Sequence, residues 1–318
     1  LRTTTSADHR RPGGDYATIV SIEPQTGTAH LPPVTVGHRL VNGLSVDVEE
    51  HFQVQAFADC IPRSDWDRTP SRVEANVNFL LELFGEHGVK GTFFTLAWVA
   101  ERHPALLRAI VAAGHEVASH GCEHIPVYEQ TPAEFREDAH RSKSVLESIA
   151  GVPITGYRAA SFSVVPRSAW AFEELERVGY RYSSSIVPVQ HDIYGFPGAP
   201  RFSHQPTASR QLTECPASTV RAGGRLWACG GGGYFRFFPY PLFRWAIRRL
   251  HNEDRQPCFF YLHPWEIDPD QPRVQGARLR SRFRHYVNLR RTAPRLRQLL
   301  QDFRWDRYDR VLGLQPSP

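Results

Sequence analysis

Methionine is absent from this chain of 318 residues, even at position 1. That points to processing, trimming or a non-standard start, and leaves room for a removed upstream segment. Cysteine is scarce. The five, at positions 60, 122, 215, 229 and 258, are odd in number and contain no CxxC pair, which argues against both a disulfide framework and a cysteine zinc site. No stretch approaches the roughly 20 apolar residues of a membrane span. The opening LRTTTSADHRRPGGDYATIV has no apolar signal core, so nothing in it directs export and a cytoplasmic location is expected. A glycine-rich phosphate loop is also missing: GGGGYF (230–235) does not match GxGxxG and reads as a flexible turn.

What remains is ordinary for a soluble globular protein, with 41% hydrophobic and 22% charged residues. The net charge of +5 comes from arginine concentrated in the last third, as in RLRSRFRHYVNLRRTAPRLR (278–297). Such a run suits nucleic acid or another polyanion in principle. However, LRRTAPRLRQLLQDF (289–303) carries leucines at helical spacing, so a solvated helix face accounts for most of the charge. No recognition motif accompanies it, and nucleic acid is not expected as a partner.

Residues 1–40 are rich in Thr, Pro, Gly and Arg without a sustained period and read as a disordered leader. Strand and helix then alternate. GLSVDV (43–48), KGTFFTL (90–96), HEVASH (115–120), ITGYRA (154–159) and YRYSSSI (180–186) read as strands. Segments 70–89, 104–114, 131–151 and 166–180 carry apolar stripes or start and stop signals of helices. This is the pattern of βαβ units and a parallel sheet. Residues 187–238 are dense in Pro, Gly and aromatics and read as an elaboration on one domain spanning 41–312. A helix at 240–253 and a buried strand at 257–263 follow, and a tail occupies 313–318.

In α/β sheets the active site collects at the carboxyl ends of strands. Here those ends are polar: Asp47 and Glu49 after the first, His120 after the third, Arg158 after the fourth and His263 after a late one. SHGCEH (119–124) spaces His120 and His124 by four. On a helical turn, both imidazoles would point the same way, as two ligands of one metal often do. With a strand-end carboxylate they make two nitrogens and one oxygen, the donor set of an open, hydrolytic zinc site.

SVDVEEHF, SHGCEH, YRAASFS, YRYSSSI and FYLHPWEID resemble, in order, the motifs of polysaccharide deacetylases, the metal-dependent carbohydrate esterase family 4 with a NodB-homology domain. DVEEHF, GGGYFRFFPY and LHPWEID look like the subfamily of exopolysaccharide loci in the exosortase/PEP-CTERM system, which carries its own C-terminal extension. The resemblance covers about 43–312. It implies a deformed (β/α) barrel with fewer than eight strands that removes N-acetyl groups from hexosamine units of an N-acetylated polysaccharide or oligosaccharide. It also implies one divalent metal ion, zinc first. Asp47 then matches the general base, Arg158 the arginine that fixes it, and His263 the general acid. His120, His124 and Glu49 match the metal ligands. Glu50 competes with Glu49, and strand alternation favours Glu49. A backbone N–H of the Arg158–Phe162 loop is expected to help with the oxyanion, and Phe162 and Trp265 are candidates for substrate contact.

The motifs also depart from the family. The arginine motif lacks its usual proline and aromatic, reading RAASF. YRYSSSI has serines where an aspartate often orients the acid histidine, which leaves Glu266 and Asp268 as candidates for that task. Two other readings stay open: hydrolysis of a small cyclic amide or ureide on a related barrel, and a non-catalytic scaffold that grips glycan.

Overall fold

The structure is a computed structural model that describes residues 35–36, 39–190 and 194–314. Most of the expected leader lies outside the described residues. Within its described part, β1 (Thr35–Val36) pairs antiparallel with the start of β2 (Arg39–Val48).

The first half of the chain alternates as its apolar periods predict. After β2 come α1 (Val73–Glu86), β3 (Thr92–Thr95), α2 (Ala97–Arg102), α3 (Pro104–Ala112) and β4 (Glu116–Ser119). Then follow α4 (Pro132–Ala150), β5 (Gly156–Tyr157), α5 (Ala171–Val178), β6 (Tyr182–Ser183) and β7 (Thr213–Glu214). The start of α4 is written locally. Thr131 and Glu134 form a reciprocal capping box, with Pro132 in the first turn.

The second half adds a hairpin of β8 (Thr219–Ala222) and β9 (Arg225–Ala228), then α6 (Gly232–Phe237) and α7 (Tyr240–Arg249). Next are β10 (Phe259–Leu262), α8 (Leu279–Tyr286), α9 (Leu289–Asp302), β11 (Arg304–Asp306) and α10 (Tyr308–Val311). The late strand rejoins the sheet: β10 lies parallel to β2 at Gly43–Val46, while β11 pairs with its earlier half.

The wall is thus seven parallel strands in the order β10-β2-β3-β4-β5-β6-β7, a deformed barrel with β1 and β11 attached to β2. Alternation along β2 separates two cores. Leu44, Val46 and Val48 pack toward the helices with Phe93, Val117 and Phe260. Val41 belongs to an inner cluster with Phe94, Ala118, Tyr182, Phe259 and Tyr308. Among the described residues no ladder joins β7 to β10. Instead Tyr261 N–H donates to Gly230 O (2.8 Å), and Phe259 N–H to Ser218 Oγ (2.8 Å).

This corrects the reading of GGGGYF as a flexible turn. Gly232 opens α6, and Gly230, Gly231 and Gly232 are buried. A Cβ on Gly230 would lie 2.5 Å from Phe259 O, one on Gly231 2.7 Å from the Tyr261 hydroxyl, and one on Gly232 would collide with the Glu266 carboxylate. Close approach, not looseness, requires glycine here.

Candidate active site

Register brings the strand ends level, since Val48 pairs with Thr95, Thr95 with Ser119, Ser119 with Tyr157 and Tyr157 with Ser183. The next residues on β4 and β5 are His120 and Arg158. Asp47 is the penultimate residue of β2, and His263 follows β10.

Glu49 lies just past β2, whose last residue is Val48, and its N–H closes a tight turn onto Asp47 O (3.0 Å). Strict strand alternation therefore does not reach it. It still points into the same space as Asp47: His263 Nε2 is 3.6 Å from Glu49 Oε1 and 3.9 Å from Asp47 Oδ2. Glu50 turns the other way. Its carboxylate accepts from the N–H groups of Arg72 (3.0 Å) and Val73 (3.2 Å) at the start of α1, and from the Ser71 hydroxyl. It satisfies donors of a helix terminus that have no partner within the helix, and complements its dipole.

Glu49, His120 and His124, all buried, each offer a ligand atom within 4.8 Å of the others. His124 Nε2 is 2.9 Å from Glu49 Oε2, and His120 Nε2 is 4.0 Å from it. The expected helical turn does not form. Residues 120–124 are a loop with Gly121 and His124 in the left-handed region (φ 79° and 58°). The start of α2 and Asp138 determine its path: Ala97 N–H donates to Gly121 O (3.0 Å), Trp98 N–H to Cys122 O (3.1 Å), and Cys122 N–H faces the Asp138 carboxylate. These contacts outcompete the helix that the spacing suggests, yet leave the rings 5.3 Å apart.

The donors fit a divalent cation. The Arg158 carbonyl can only accept, so His120 Nδ1 donates to it (2.8 Å) and Nε2 keeps a lone pair. Burial drives the His120 pKa down to about 4, so the ring is neutral near pH 7. Glu49 Oε2 is buried and, despite its short distance to His124, has no hydrogen-bond partner of acceptable geometry. Burial by itself would raise the Glu49 pKa, but His124, His263 and His120 outweigh it and hold the carboxyl at about 2. Tetrahedral zinc bonds of about 2.0–2.1 Å place ligand atoms roughly 3.3 Å apart, within small adjustments of these positions.

Arg158 is fully buried and uses all five of its donors. Nη1 reaches Asp47 Oδ1 (2.5 Å) and Ser45 Oγ (2.9 Å), Nη2 reaches Ser184 Oγ (2.9 Å) and Tyr308 OH (3.1 Å), and Nε reaches Ser184 O (3.1 Å). Its guanidinium also lies 4.0 Å over the Phe94 ring. Burial opposes its charge, but Asp47 and Tyr308 more than compensate and raise its pKa. The serines of YRYSSSI thus serve this arginine and its loop, because Ser185 Oγ also accepts from Ala159 N–H (2.9 Å).

Glu266, not Asp268, orients His263. His263 Nδ1 and Glu266 Oε1 are 2.7 Å apart, whereas Asp268 is engaged by Arg72 (2.6 Å). Burial disfavours the His263 cation, but Glu49, Glu266 and Asp47 raise its pKa to about 9, so Nε2 carries a proton near neutrality. Behind Glu266 stands Arg236, which sequence reasoning missed. Its Nε donates to Glu266 Oε2 (2.6 Å), and its other nitrogens donate to the carbonyls of Arg284, His285 and Val287. Burial would push the Glu266 pKa up, but Arg236 and His263 hold it at about 2. An arginine inside the apolar stretch YFRFF was the available signal, since a charge placed there needs a buried partner.

Phe162 and Trp265 are both buried, at 4% and 6% exposure. Phe162 packs against Tyr261 and Arg158. Trp265 stacks between His263 and His285, and its Nε1 donates to Glu49 Oε1 (3.2 Å). In the Arg158–Phe162 loop, the N–H groups of Arg158, Ala159 and Phe162 are already engaged. That leaves those of Ala160 and Ser161 as candidates for an oxyanion.

Residues 65–183 match the polysaccharide deacetylase family model, and residues 184–313 match a domain of unknown function (DUF3473). A chitooligosaccharide deacetylase of Bradyrhizobium sp. (strain ANU 289) is 26% identical over 42% of this chain and 71% of its own length. A peptidoglycan deacetylase of Helicobacter pylori (strain ATCC 700392 / 26695) is 28% identical over 36% of this chain and 38% of its own length. Across five of the curated relatives, the match spans from 21% to 71% of the relative's own length. A crystal structure of a Mycobacterium smegmatis protein described as a polysaccharide deacetylase superposes with a TM-score of 0.55 at 18% identity, covering 92% of this chain and 98% of that one. The PuuE allantoinase does so with 0.54 at 16%, covering 95% and 97%. These two show the barrel alone. Residues 65–183 are thus similar to the polysaccharide deacetylase family, and the motifs that resemble that family converge on one barrel mouth.

Proposed function

We propose that this protein is a metal-dependent hydrolase that removes N-acetyl groups from hexosamine units of a bacterial exopolysaccharide or its precursor. One observation carries the reading. A base held by a buried arginine (Asp47–Arg158) and an acid held by a buried carboxylate (His263–Glu266) flank the same Glu49–His120–His124 cluster. The exopolysaccharide assignment rests on the resemblance of GGGYFRFFPY and LHPWEID, both within the second matched domain.

Glu49, His120 and His124 would hold one divalent ion, zinc first by its nitrogen and oxygen donors, with Asp47 and His263 beside it. Bound there, the ion supplies a Lewis acid for the amide carbonyl and acidifies water to a pKa of about 7. Asp47 Oδ1 is engaged by Arg158, so Oδ2 takes the proton of the attacking water. The new C–O bond forms at the acetyl carbon, and the N–H groups of Ala160 and Ser161 would receive the developing oxyanion. His263 Nε2–H then protonates the sugar nitrogen as the C–N bond breaks, since an unprotonated amine leaves poorly. The products are acetate and a free amino sugar. Phe162 and Trp265 support these groups, Phe162 through Arg158 and Trp265 through Glu49 and His263.

The test is acetate release by metal-loaded protein over a panel of N-acetylated oligosaccharides, cyclic amides and ureides. Acetate from the glycans is the expected result. Ring opening of a ureide without acetate would transfer the site to amidohydrolase chemistry. Glycan binding without turnover of any member would make the protein a scaffold.

A further inference from the structure

Among the described residues, the three most exposed large apolar side chains are Leu279 (82%), Phe283 (57%) and Phe237 (54%). Leu279 and Phe283 are one helical turn apart on α8, and the Phe237 ring meets Phe283 edge to face at 6.3 Å. Together they form a continuous apolar ridge. At helical spacing Arg278 and Arg282 flank it on one side and Arg280 and Arg284 on the other. Between Asp270 and Asp302 the chain holds nine arginines and no acidic residue. The ridge is not a loose appendage. Arg236 binds three carbonyls at the end of α8, and His285, on the inner side of the helix, stacks on Trp265 at 4.0 Å.

We propose that α8 and Phe237 form a docking face for an anionic lipid surface. A soluble polyanion would engage the guanidinium groups and leave Leu279 and Phe283 in water. A bilayer interface accommodates both, with apolar side chains entering the acyl boundary and arginines meeting headgroup phosphates. Attachment would be peripheral, because no helix among the described residues is long and apolar enough to cross a membrane. None of the residues varied in its test belongs to the catalytic cluster, and vesicle binding is read without turnover, so the test does not depend on the proposed activity.

The experiment is cosedimentation of the full chain with phosphatidylcholine vesicles, with and without phosphatidylglycerol, at low and high salt. Binding is expected only with phosphatidylglycerol, and it should weaken as salt rises. Leu279→Ser with Phe283→Ser should lower partitioning by about tenfold or more. Arg278→Gln and Arg282→Gln should each lower it about fivefold. Thermal melts of every variant verify folding, and each single substitution should show part of the loss. The proposal is overturned if phosphatidylglycerol vesicles do not bind. It is equally overturned if folded Leu279→Ser/Phe283→Ser binds them like the parent, or if DNA binds equally well and indifferently to that double substitution.

Discussion

Two buried arginine–carboxylate pairs stand on either side of the candidate metal cluster, and they are built differently. In Asp47–Arg158 the carboxylate faces the cluster itself, and the arginine spends its remaining donors on Ser45, Ser184 and Tyr308. In Glu266–Arg236 the carboxylate acts through His263, and the arginine's remaining donors bind backbone carbonyls around the end of α8. The first pair belongs to the barrel wall. The second anchors the C-terminal extension to the site, so the matched domain of unknown function supplies His263, Glu266 and Arg236. A third buried carboxylate, Glu116 at the opposite end of β4, has no arginine bonded to it. It accepts from Thr92 and Tyr182 instead, beside Asp309. Pairing keeps Glu266 ionised, and its absence leaves Glu116 protonated up to about pH 8, through burial first and Asp309 second.

The largest expected effect breaks the base side. Asp47→Asn keeps the shape but removes the proton acceptor, and deacetylation should slow by about 10²–10⁴-fold with metal content unchanged by elemental analysis. Near-parental turnover with metal bound would exclude Asp47 as the base. On the acid side, Glu266→Gln should slow amide hydrolysis by about 10²-fold, the lower end of what an acid contributes. An activated acetyl ester, whose leaving group needs little protonation, should be much less affected. Equal losses on both substrates would show that Glu266 does not act through His263.

The two adjacent glutamates sharpen the contrast between site and scaffold. Glu49→Ala should weaken metal affinity by orders of magnitude. Glu50→Ala should leave affinity largely intact and cost about 1–2 kcal/mol of stability in denaturant unfolding, as loss of a helix cap does. The reverse pattern would exchange their roles. The smallest effect concerns Glu116. In the fold it keeps its proton to about pH 8, against an ordinary glutamate value of 4.5. Between those values the folded state binds more protons, so this group makes stability fall as pH rises. Glu116→Gln should flatten that part of the Tm–pH profile, and an unchanged slope would show that Glu116 does not titrate there.

The reading from sequence reached the barrel, and it named Asp47, Arg158, His120, His124 and His263, which the structure brings to one barrel mouth, because polar residues closing apolar strands are a local pattern. Its mechanism for bringing the histidines together was wrong, although the two rings do lie together beside Glu49. A four-residue spacing cannot show that α2 and Asp138 capture the intervening loop and give Gly121 and His124 left-handed backbones.

Sequence by itself determined which chemistry is present: two imidazoles, a run of carboxylates, an arginine after one strand and a histidine after another. Tertiary structure decided how those groups are divided. Glu49 faces the histidines and Glu50 caps α1, although they are neighbours in the chain, because the backbone leaves the sheet at Val48 and the start of α1 takes the second carboxylate. Likewise Arg236 finds Glu266 thirty residues away only because Gly232 lets α6 press against that carboxylate. Burial makes such pairings obligatory, since a charge without a partner in the interior costs several kcal/mol, but which partner it meets depends on contacts that sequence spacing does not encode.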